Sequence, residues 1–245
     1  MPRRPDDFYR TPAWCVEALL SREAFPGEVL DPCCGDGAIL DALLSHWRSE
    51  GRLDMELDLM GVELDPGRAD EAGASHPNVW TGDFLSWNEH DLFERVYAIV
   101  TNPPYSLAAE FVEASLETVA PGGKVAMLLR QSFFGSCRKR LDVILPGSGL
   151  RQLYMLPKRP SFCVSANCKE CGGRWSLEPG VGPYSHPEAE GACPLEGSSP
   201  GRRGFTISTT DNSDYCWAIW EKGWSGPVLV EWLHETLNHS TRRED

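Results

Sequence analysis

The chain has 245 residues, 41% of them hydrophobic, enough for one substantial core: a single α/β domain with a small insertion, and no need of a second domain. Its formal net charge of -13 argues against a protein that coats nucleic acid nonspecifically, because neutralising phosphate takes Lys and Arg. No run of about 18 apolar residues occurs, and the charged, proline-bearing start is unlike a leader peptide, so a soluble, cytoplasmic protein without a membrane partner is expected.

Residues 12–24 carry Trp14, Ala18 and Leu19 at helical spacing, with Thr11 as the expected N-cap and Pro12 at the first helical position. A short strand over 28–30 leads into Asp31, followed by a helix over 38–48, a strand over 57–62 and a helix over 66–72. Strands are predicted at 78–81 and 96–100, a helix over 107–120 stopped by Pro121-Gly122-Gly123, and a fifth strand over 124–129. Two more, at 152–156 and 215–220, complete a sheet of seven. Such alternation is the pattern of a parallel sheet covered by helices on both faces. Between the last two strands, residues 172–204 hold 8 Gly and 5 Pro, too few apolar groups for a core.

The first strand runs into Asp31-Pro-Cys-Cys-Gly-Asp-Gly37 and then a helix. Gly35 and Gly37 let the backbone turn sharply and pass close beneath a ligand. Glu63 ends the next strand, where a carboxylate accepts from both hydroxyls of a ribose, and Asp83 follows the third, where one accepts from an adenine amino group with Phe84 or Leu85 along the ring. One such acid alone is an N-cap or a surface charge. Three at the carboxyl ends of successive strands, with a glycine turn between, point to a nucleoside cofactor.

The fourth strand ends in Asn102-Pro103-Pro104-Tyr105. Two prolines fix the backbone and supply no N–H, so the Asn102 side-chain oxygen and the Pro103 carbonyl can both face one donor, such as an NH2 on a planar system. Bonding both amino hydrogens draws the nitrogen lone pair out of the ring and aims it at a methyl sulfonium. Tyr105 offers a face for stacking, which contributes about 1–3 kcal/mol per base and offsets part of the cost of flipping a nucleotide out of a duplex. Phe133 and Phe134 stand where they can hold a flipped base or pack the core. Pro32-Cys33 is on the wrong loop for a cysteine nucleophile.

Residues 8–135 resemble the class I S-adenosylmethionine-dependent amino-methyltransferases. The order in which Phe8-Tyr9-Arg10-Thr11-Pro12, the glycine turn and Asn-Pro-Pro-Tyr follow one another resembles the gamma arrangement of the DNA adenine-N6 methyltransferases. The resemblance implies a Rossmann-like, seven-stranded, mostly parallel sheet and S-adenosylmethionine as cofactor. Tyr9, Thr11 and Pro12 would close over its methionine part, Asp31, Cys33, Gly35 and Gly37 line that part, Glu63 hold the ribose, and Asp83 and Phe84 the adenine. Asn102 to Tyr105 would be catalytic and Asn102 also near the cofactor. The implied partner is nucleic acid, DNA first, in a restriction-modification setting. RNA bases and cytosine N4 share the chemistry. Glutamine-amide methylation fits less well, because those enzymes carry a helical domain ahead of the glycine turn and only about 30 residues precede it here. A nonenzymatic zinc-bearing nucleic-acid module is the reading from another class.

Cys163-x4-Cys168-x2-Cys171 supplies three thiolates within reach of one tetrahedral ion, with Cys193 or His186 as the fourth ligand, so one structural zinc is expected in a Cys-rich, zinc-knuckle-like insertion. The other five cysteines are scattered and read as reduced thiols. The chain thus divides into a catalytic and cofactor-binding core (1–160), an insertion for zinc and target recognition (161–205) and C-terminal strands completing the core sheet (206–245). Basic residues gather in the second half, at Arg130, Arg138, Lys139, Arg140, Arg151, Lys158, Arg159, Arg202 and Arg203.

Overall fold

A computed structural model describes residues 9–52, 58–86, 96–135, 140–145, 147–160 and 213–233, together with strands at 164–168, 174–177 and 205–209. In chain order the elements are α1 (Ala13–Leu20), β1 (Val29–Asp31), α2 (Ala38–Ser49), β2 (Leu59–Glu63), α3 (Pro66–Gly73), β3 (Val79–Thr81), β4 (Ala98–Thr101), α4 (Ala108–Thr118), β5 (Lys124–Arg130), α5 (Leu141–Ile144), β6 (Leu150–Met155), β7 (Val164–Cys168), β8 (Arg174–Leu177), β9 (Phe205–Thr209), β10 (Tyr215–Glu221) and β11 (Leu229–Trp232). Short 3-10 turns occupy Phe84–Ser86, Tyr105–Leu107 and Gln131–Phe134.

Eight strands form one mixed sheet in the order β3-β2-β1-β4-β5-β10-β6-β11, where β10 runs antiparallel to both neighbours and the other pairings are parallel. The sequence pattern predicts seven; the eighth is β11, a four-residue edge strand. Its Leu229, Val230 and Trp232 are all exposed, so it lacks the apolar alternation of a half-buried strand. A second, three-stranded antiparallel sheet, β8-β7-β9, has β8 inside the Gly- and Pro-rich stretch 172–204 and β7 and β9 on either side of it. Cys163, Cys171, Cys193 and His186 lie outside the described residues, and Cys168 is described only as the last residue of β7.

Burial follows the pleat. Tyr215, Trp217 and Ile219 of β10 pack on the face covered by α1 and α2, while Cys216, Ala218 and Trp220 pack on the face of α4 and α5. Both buried indoles find backbone acceptors, Trp217 on Cys15 O and Trp220 on Val143 O, each at 2.7 Å. α1 departs from expectation at its start: Pro12 is the N-cap and no side chain caps the helix, so the hydroxyl of Thr11 is spent elsewhere.

Between β1 and β4 the chain changes direction across the sheet. A crevice opens at such a switch point, outside the carboxyl ends of the strands. Gly37 shapes it. With φ at +86°, it turns the chain into α2, and a Cβ there would come within 3.3 Å of Ala72 Cβ and 3.4 Å of the His76 ring.

Candidate active site

A cleft open to solvent lies over this switch point. It brings together Tyr9, Thr11, Asp31, Cys33, Glu63, Asp83, Phe84 and Asn102, all singled out in the sequence. Pro12, Gly35, Gly37, Pro103 and Tyr105 are not among its lining residues. Phe133 is 5% exposed and packs in the core beneath Arg140.

The acids at the strand ends are built in. Asp31 is 1% exposed, and its Oδ1 accepts from Thr101 Oγ1 at 2.6 Å and from the Cys33 N–H at 3.2 Å. Burial pushes its carboxyl up to about 7, the two hydrogen bonds pull it down, and the charge of Glu63 raises it further. Cys33 Sγ lies 2.9 Å from the same Thr101 hydroxyl, and burial, then Asp31, hold it well above the ordinary thiol range, so it is a protonated wall rather than a nucleophile. Glu63 Oε1 accepts from Asp65 N and the Arg68 guanidinium, while Oε2 accepts from Gly35 N at 2.9 Å, which ties the second strand end to the glycine turn. Asp83 accepts from Leu85 N and Ser86 Oγ, capping a 3-10 turn while lining the cleft.

Several lining residues have no signal in the sequence. Arg10 reaches from the N-terminal segment to an ion pair with Asp36 inside the glycine turn, a partner 26 positions away. Leu64, 69% exposed, and the buried Phe111 join the expected Phe84 in an apolar wall of the cleft. Leu64 is the kind of exposed large side chain that marks a binding surface once a cleft is known.

At the other end of the cleft Asn102 is fixed on both sides. Its Nδ2 donates to Tyr9 O at 3.2 Å and to Thr11 Oγ1 at 3.0 Å, and its Oδ1 accepts from Tyr105 OH at 3.0 Å. Pro104 O accepts from Leu107 N, closing the turn. The Tyr105 ring stacks on Tyr9, with centroids 6.2 Å apart and planes at 17°. It leans on Tyr215 and carries the Arg130 guanidinium 4.8 Å from its centre.

No protein-family model matches the sequence. Among solved structures, a protein described as a class I S-adenosylmethionine-dependent methyltransferase from Listeria monocytogenes superposes with a TM-score of 0.55 at 15% identity, over 91% of this chain and 63% of that one. The M protein of the type I restriction enzyme EcoKI gives 0.55 at 15% identity over 90% of this chain and 45% of its own. A protein described as an O-methyltransferase from Agrobacterium tumefaciens gives 0.50 at 14% identity over 93% and 89%. The fold is that of the class I methyltransferases. This chain spans less than two thirds of the first two, and a fold shared with a protein described as an O-methyltransferase leaves the acceptor to be read from the site. Among the described residues no helix is long and apolar enough to cross a membrane, and no group of three metal-ligating side chains occurs.

Proposed function

We propose that this chain transfers a methyl group from S-adenosylmethionine to the exocyclic amino nitrogen of a nucleic-acid base, N6 of adenine in DNA. The observation that carries the reading is the state of Asn102. Both of its amide hydrogens are committed, to Tyr9 O and Thr11 Oγ1, so what it turns toward Tyr105 is an acceptor. With Pro103 O as the second acceptor, an NH2 group is the complementary partner, and stacking on Tyr105 suits a flat ring.

The cofactor half fits by charge. S-adenosylmethionine bears a sulfonium and an ammonium, and four acids (Asp31, Asp36, Glu63, Asp83) line the cleft beside one base, Arg10. Asp31, Cys33 and the glycine turn would hold its methionine part under Tyr9, Thr11 and Pro12, Glu63 the ribose, and Asp83 with Phe84 and Leu64 the adenine. When bound, the cofactor supplies an electrophilic methyl. The protein's own part is to orient the amine and draw its hydrogens into the two acceptors.

The acceptor half fits by opposite charge. Arg130 lies over Tyr105, Lys158 over the Trp14 ring at 4.8 Å, and Arg159 pairs with Asp214, next to the Tyr215 that Tyr105 touches. In an acidic chain these cations have fixed partners, and Arg130 lies over the Tyr105 that bonds Asn102, a placement that suits contact with a phosphate backbone. The EcoKI M protein belongs to a restriction enzyme, which favours DNA over RNA. The reading extends to one structural zinc in the insertion and to target recognition by it. The test is Asn102→Ala: cofactor affinity by calorimetry should stay within about threefold of wild type, while methyl incorporation into DNA from a host lacking adenine methylation should vanish. An Asn102→Ala protein that still methylates, or a wild type that yields no N6-methyladenine in digested DNA, overturns it.

A further inference from the structure

Asn102 is a two-faced side chain, and its chemistry depends on which face meets the substrate. If its NH2 turned toward the acceptor, two donors would oppose each other and the lone pair could not be drawn out. The structure fixes the choice from behind. Tyr9 O is a carbonyl and can only accept, so the atom 3.2 Å from it is the amide nitrogen. The second hydrogen is taken by Thr11 Oγ1 at 3.0 Å.

Thr11 is well placed for this and for little else. It is 6% exposed, it does not cap α1, and it precedes Pro12, which biases its backbone toward the extended region. Its partner stands 91 positions away along the chain. We infer that Thr11 is a positioning residue for methyl transfer: its hydroxyl, with the Tyr9 carbonyl, holds the Asn102 amide so that Oδ1 faces the acceptor amine. This rests on the proposed activity and goes beyond it, since a segment expected to close over the cofactor acts here on the group that binds the other substrate.

The test compares Thr11→Val, which keeps the shape and loses the hydroxyl, with Thr11→Ser, which keeps the hydroxyl. Single-turnover methyl transfer to DNA from a host lacking adenine methylation is measured alongside cofactor affinity by calorimetry and thermal melting. Thr11→Val leaves an amide donor without its partner and should slow transfer about tenfold or more. Its cofactor Kd should stay within about threefold. Thr11→Ser should transfer within about threefold of wild type. Equal losses in Val and Ser, a Val variant as fast as wild type, or a loss confined to cofactor Kd each overturn the inference. Wild-type protein that binds cofactor but methylates no DNA overturns the proposed function, and the role of Thr11 with it.

Discussion

Asp31 carries a conflict between fold and site. Unfolded, its carboxyl titrates near 3.8; folded, it is held at about 7. Between those values the native state keeps a proton that the unfolded chain has lost. The penalty of burying Asp31 is therefore absent below pH 3.8, grows through the window and is full above 7, at a cost on the order of a few kcal/mol. Asp31→Asn, which retains an acceptor for Thr101 and Cys33, should melt higher than wild type at pH 8 and close to it at pH 4. Cofactor binding runs the other way. A cationic ligand needs the carboxylate, so wild-type affinity should fall as pH drops from 8 to 6, and the Asn variant should be weaker and flat; a wild-type affinity independent of pH would refute this. Asp31, Glu63, Asp83 and Asn102 were legible in the sequence because each ends a strand, a local signal. Thr101 beneath Asp31 and Asp36 beneath Arg10 were not, because each acts through a partner far along the chain.

At the scale of elements, long segments with a clear period were readable and short ones with mixed neighbours were not. α2 and β5 stand where periodicity put them, whereas β8 falls inside the Gly- and Pro-rich stretch and β7 and β9 are five-residue segments flanking it. Their sheet has strands of five, four and five residues. A sheet this small needs further support to persist, which the proposed zinc would supply. On the proposed zinc, purified protein should contain about one zinc per chain, lost in Cys168→Ser. Zinc-free wild type, or zinc retained in Cys168→Ser, would contradict this assignment.

Over the whole molecule, the net charge of -13 says the least about function, because it averages acids and bases that the fold puts in different places. Asp31, Asp36, Glu63 and Asp83 line the cleft, whereas Arg130 lies over Tyr105, Lys158 over Trp14 and Arg159 against Asp214. The acids come from the first half of the chain and these cations from the second, a division visible in the sequence; what the sequence does not show is that one sheet joins the strands that carry them. A polyanionic acceptor should sense the cations alone. In Lys158→Glu/Arg159→Glu, the KM for DNA should rise at least tenfold at low salt while cofactor Kd stays unchanged. If both cations contact phosphate, the slope of log affinity against log salt should also become shallower by about 1.8, at about 0.9 per contact. Cofactor affinity that falls in step with DNA affinity would mean that the acids and the cations do not act separately. An unchanged salt slope would mean that the cations serve only their observed partners, Trp14 and Asp214, and that the phosphate backbone is met elsewhere.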